Sequence, residues 1–189
     1  MENKEKVKKS KRLNTIDIAY VGIFVALITV CSWISIPLAV PVTLQTMAVC
    51  ITAGLLGTKK SVIAVVVYIL LGLIGVPVYS GFTSGVGVLL GITGGYLVGF
   101  IFTALIVGFM VKLLGKKVWV YAVSMFLGIA ACYAFGTAWF VIYNNNNSAD
   151  ATTIGAALSM CVIPFIIPDL VKIAVATLLC KRLNKYVKA

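Results

Sequence analysis

Long apolar runs alternate with short polar breaks along the chain, and the breaks fall at Pro, Gly and charged residues. Cutting there predicts six helical segments, at roughly 16–36, 45–57, 61–77, 86–112, 118–143 and 154–180. A bilayer core takes about 20 apolar residues per helix, within a range of about 17 to 25. The second segment is short: at 1.5 Å per residue it rises about 20 Å, less than the hydrocarbon thickness. It must tilt, be extended by the irregular "PLAVPVTLQ" before it, or lie against other helices. Non-helical backbone at membrane depth is tolerated where protein or a cavity covers it. A pocket is therefore expected beside residues 37–46.

Composition turns this pattern into a fold class. The 189 residues are 61% hydrophobic and 11% charged, with a mean hydropathy of +1.10. A soluble domain carries about 25% charged residues, so the expectation is an all-α integral membrane protein. A basic tail, 1–15, precedes a single six-helix membrane domain, 16–189. The first apolar run, of about 21 residues, is too long for a typical signal core and is read as a retained helix.

Charge then sets the expected orientation. Of sixteen Lys and Arg, six lie in the tail (Lys4, Lys6, Lys8, Lys9, Lys11, Arg12), two at 59–60, three at 112–117 and four at the end (Lys181, Arg182, Lys185, Lys188). Loops 37–45, 77–86 and 144–153 hold none. The positive-inside rule places the basic segments, and with them both termini, in the cytoplasm of a plasma-membrane protein. The net charge of +11 is then mostly topology, with membrane lipid rather than nucleic acid as its partner. The formal sequon Asn146-Asn147-Ser148 is read as chance in an Asn-rich loop.

Little chemistry remains available inside the bilayer. There is no histidine, and the acids are Glu2, Glu5, Asp17, Asp150 and Asp169. No metal, cofactor or catalytic set is expected from so few ligands. Cys31, Cys50, Cys132, Cys161 and Cys180 form no CxxC and are read as small hydrophobes. The exception is "PFIIPDLVK", where Asp169 and Lys172 sit deep in the last run. Intramembrane charges usually face the bundle interior and mark function, and a spacing of three puts this pair on one helix face. It either satisfies itself or grips a polar ligand. Pro164 and Pro168 strip helical partners from nearby carbonyls, so a kink or restart is expected at Pro168.

Three further stretches could join that pair. Gly87, Gly91, Gly95 and Gly99 recur every four residues, a small-residue face for helix packing. Within it "GITGGY" adds Gly94 and Tyr96, where bare backbone could also lie flat against a ligand ring. "VPVTLQT" supplies Thr43, Gln45 and Thr46 as neutral hydrogen-bonding groups or helix caps. Trp33, Tyr79, Phe82, Trp139 and Tyr143 fall near expected outer ends as an aromatic belt; of these, Tyr79 and Phe82 are candidates to cover a ligand. Ala19, Gly22 and Ala26 form a small-residue stripe on the first helix, facing a sister helix or a membrane partner.

Taken together, "VPVTLQTMAV", "LLGLIGVPVYSG", "GVGVLLGITGGYLVGF" and "IPFIIPDLVKIAVA" resemble the BioY family, the biotin-specific S components of energy-coupling-factor (ECF) transporters. The resemblance runs from about residue 16 to the end, in order and at matching spacing. It implies a six-helix subunit that captures biotin from outside and pairs with a coupling module, a transmembrane protein plus two ATPases. The subunit itself would be no enzyme. The family's acid–base pair falls on Asp169 and Lys172, its "TLQT" on Thr43–Thr46 and its "TGGY" on Thr93–Tyr96. The AxxxA docking pattern of the wider S-component group is broken by Ile23, four residues after Ala19, though Gly22 and Ala26 keep a small-residue spacing. The competing readings are an autonomous secondary transporter with Asp169 as proton carrier and an S component for a different vitamin.

Overall fold

The computed structural model describes residues 14–38, 40–147 and 153–187. The basic residues Lys4–Arg12, the sequon's Ser148, Asp150 and Lys188 lie outside them. Helix α1, Thr15–Trp33, opens on a capping box in which Asn14 and Asp17 satisfy each other's backbone N–H groups. Strands β1 (Ser35–Ile36) and β2 (Val42–Thr43) pair antiparallel and fold the 37–41 loop over. Helix α2 (Gln45–Leu73), a single 3-10 turn (Ser80–Phe82), α3 (Val86–Leu90), α4 (Gly94–Leu114), α5 (Val118–Asn147), α6 (Ile154–Cys161) and α7 (Ile163–Leu183) follow.

Five helices, α1, α2, α4, α5 and α7, are long and apolar enough to cross a membrane. Only 39–44% of each such stretch is buried inside the protein. What faces outward is apolar too: Ile167 is 76% exposed, and Phe109, Phe126, Leu178 and Trp119 are also exposed. A helix apolar all round needs lipid or protein on every side. The chain is a multi-pass membrane protein.

The expected break between 57 and 61 is present, and two others differ from the expected spans. The expected segments 45–57 and 61–77 both lie in α2, interrupted at Gly57, whose φ of 73° suits a residue without Cβ. The chain doubles back there, because Gln45 lies beside Tyr68, whereas a straight helix would separate them by about 34 Å. The expected helix 86–112 is two helices, because Gly91 turns extended between α3 and α4. Gly87, Gly91, Gly95 and Gly99 therefore do not share one helix face. The last run breaks at Val162, not at Pro168. Pro164 occupies the first turn of α7, where its missing N–H is not needed, and α7 continues through Pro168.

The helices approach closely where side chains are smallest. A Cβ on Gly108 would lie 2.6 Å from the Thr58 backbone, and one on Gly95 would lie 2.2 Å from Cβ of Trp139. All five cysteines are buried with free thiols. The two ends of the bundle are tied differently. Lys60 pairs with Asp17 at 2.6 Å near the Gly57 end. At the other end Ser32 Oγ and Tyr68 OH both donate to the Val78 carbonyl, and Trp33 Nε1 donates to that of Pro77.

Candidate ligand-binding site

A cavity of about 450 Å³ lies between the start of α2, the 3-10 turn, α3, the start of α4, α5 and α7. The sequence builds it from its irregular parts. The β1–β2 ladder and the Thr43 Oγ1 that accepts the Gln45 N–H deliver Gln45 and Thr46 to the first turn of α2. The break at Gly91 leaves backbone at Gly87 and Gly91 against the cavity, and Trp139 Nε1 holds it by donating to the Gly91 carbonyl at 2.9 Å.

The floor is charged and almost dry. Lys172 Nζ lies 2.6 Å from Asp169 Oδ1, and the two side chains are 8% and 4% exposed. Thr46 Oγ1 donates to the same oxygen at 3.3 Å and stands 3.4 Å from Lys172 Nζ. Tyr133 OH donates to Asp169 Oδ2. Beside them Gln45 is 4% exposed, and its Nε2 is buried without a hydrogen-bond partner. Leaving a buried donor unmade costs about 1–3 kcal/mol, so Nε2, with the Tyr68 hydroxyl as its polar neighbour, has capacity for a ligand acceptor.

The walls are neutral. Tyr96 OH pairs with Thr137 Oγ1 at 3.2 Å, while Leu97, Phe100 and Phe165 supply apolar surface. Tyr79 is 2% exposed and donates to the Ile69 carbonyl at 2.7 Å. Burial pushes its phenol above its usual value. At the rim Thr83 and Gly87 are exposed, with Ser80 and Tyr143 half-buried. A zwitterionic floor under apolar walls suits a ligand that presents N–H and C=O together, or one that brings a carboxylate to the ammonium.

Among the expected site residues, Asp169, Lys172, Gln45, Thr43, Tyr96 and Tyr79 line this cavity. Gly94, Gly95 and Phe82 do not. Gly94 packs on the Leu89 carbonyl and Gly95 on Trp139, and Phe82 stacks on Trp33 with 63% of its surface exposed. Ala19, Gly22, Ile23 and Ala26 are all exposed on the outward face of α1. Gly22 and Ala26 edge a shallow apolar groove against Val67 and Leu71 of α2. Tyr133 was not singled out from sequence. Its signal was available: a tyrosine in mid-span needs a partner for its hydroxyl, and Asp169 is the one acid deep in a span.

Known proteins place this geometry in a lineage. The BioY family model matches residues 3–189. The biotin transporter BioY of Thermotoga maritima is 42% identical over 165 residues, covering 87% of this chain and 93% of that one. The probable biotin transporter BioY of Pyrococcus horikoshii is 34% identical over 169 residues, or 89% and 96% of the two chains. A solved structure, the S-component for biotin from an ECF-type ABC transporter, matches with a TM-score of 0.81 at 28% identity, over 98% of this chain and 95% of that chain. On both the family match and the relatives, the chain belongs to the BioY family.

Proposed function

We propose that the chain captures biotin outside the cell and serves as the substrate-binding subunit of an ECF transporter. The observation that carries this is the dry Asp169–Lys172 pair beside the unpartnered Gln45 amide, at the floor of an apolar cavity in a BioY-family chain. Biotin's bicyclic ring would lie on the Gly87 and Gly91 backbone and on Tyr96 and Phe100. Its ureido N–H groups would donate to Asp169, while Gln45 Nε2 and the free donor of Lys172 take the ureido oxygen. Charge-assisted bonds in such a site contribute about 1.5–3 kcal/mol each.

Transport needs an orientation and a partner. The basic segments would lie in the cytoplasm, with the two arms of α2 as separate spans, which makes six and opens the cavity outward. The exposed α1 face at Ala19, Gly22, Ile23 and Ala26 would dock on the transmembrane coupling protein. A bare Gly22, with nothing within 4 Å of its would-be Cβ, permits close helix approach. ATP hydrolysis would belong to the two partner ATPases.

Titration of the purified protein in lipid nanodiscs with biotin, thiamine and riboflavin tests this directly. Saturable binding of biotin alone is expected. Binding of another vitamin in preference to biotin would overturn the assignment.

A further inference from the structure

The floor of the cavity is electrically neutral, and no other described lining residue can neutralise an acid. Lys172 is the one cation among the described lining residues, and its charge is already balanced by Asp169 at 2.6 Å. No other Lys or Arg occurs anywhere in 61–111 or 118–180. The cations that the structure describes elsewhere sit at the far end of the bundle. Lys60 is tied to Asp17, and Lys116 is tied to Asn184. Lys112 is about 18 Å of helix rise past Phe100, the last cavity residue of α4. Positions 39 and 148–152, outside the described residues, contain no Lys or Arg.

An ionised carboxylate is not buried without a partner. If the ureido ring occupies the floor, the valerate carboxylate must therefore leave the cavity. The rim offers it Ser80, Thr83 and Tyr143, all uncharged, and Thr83 and Gly87 open to solvent. A carboxylate there gains no ion pair and remains hydrated, so replacing it by an uncharged amide, whose carbonyl can still accept from the rim hydroxyls, takes away no ion pair.

We infer that the site does not read the carboxylate of its ligand, and that the chain also binds neutral biotin derivatives: biotin amides, including biotin joined through an amide to a lysine side chain. This rests on the proposed biotin function and on the ureido group facing Asp169, and extends the substrate class from the free vitamin to its amide-linked forms.

The test is competition in nanodiscs. Labelled biotin is displaced by biotin, by biotinamide and by the amide conjugate of biotin with the lysine ε-amine. Dissociation constants for both amides within about fivefold of biotin's are expected, since a solvent-exposed charge contributes little. A loss beyond about tenfold for both amides, with biotin still bound, would place the carboxylate on a charged partner and overturn this inference alone. Absence of biotin binding would overturn the parent function as well. Lys172→Gln separates the two ends of the ligand further. It should weaken biotin and biotinamide by the same factor, whereas weakening of biotin alone would contradict the inference.

Discussion

Asp169 accepts from Lys172, Thr46 and Tyr133 at once, and this sets what each substitution does. Tyr133→Phe keeps the ring against Phe165 and removes one donor to a buried carboxylate. Biotin binding should weaken by about tenfold, the equivalent of about 1.4 kcal/mol, in a direct titration. Gln45 makes a less usual prediction, because its amide is unpartnered without ligand. Gln45→Leu should raise the melting temperature of the ligand-free protein by a few degrees while weakening biotin about tenfold. A lowered melting temperature would show that the amide is already satisfied. The pair Asp169/Lys172 was legible in sequence because charge in an apolar run is costly and rare. Tyr133 was not singled out, because a tyrosine among apolar residues does not reveal which way its hydroxyl points.

At the scale of elements, apolar run length located the helices and the Gly57 break and misjudged two other breaks. Run length is a property of burial, whereas a break depends on one residue's backbone. Thr58, Lys59 and Lys60 announce the break at Gly57, whereas Gly91 and Val162 turn the chain within largely apolar sequence. Pro168 looked like a break and is tolerated, since the interruption comes earlier, at Val162. Glycine spacing also mixed two roles. Gly95 and Gly108 are places where helices touch, while Gly87 lies open beside the cavity. Gly95→Leu should lower the melting temperature by several degrees, because its Cβ alone would sit 2.2 Å from Trp139. Gly22→Leu, with open space around it, should leave the melting temperature and biotin affinity unchanged, and reduce only co-purification with the coupling module. Loss of stability in Gly22→Leu would place position 22 itself against another part of this chain.

For the whole molecule, the proposed orientation rests on the distribution of sixteen cations, and the α2 reversal is compatible with it. Thr83, on the cavity rim, and Lys185, past the basic end of α7, should then lie on opposite sides of the membrane. The native cysteines are all buried, which keeps background labelling low. In intact cells a membrane-impermeant maleimide should label Thr83→Cys but label Lys185→Cys only after permeabilisation. The reverse pattern would invert the topology and close the cavity to the outside.

The central claim is that biotin sits on the Asp169–Lys172 floor. Parallel biotin titrations of the native protein and Asp169→Asn, each shown to be folded by its thermal transition, test it most directly. The variant keeps the side chain's size and removes the charge that anchors Lys172, Thr46 and Tyr133. Affinity should fall at least about tenfold; an unchanged dissociation constant in a folded variant would contradict the account.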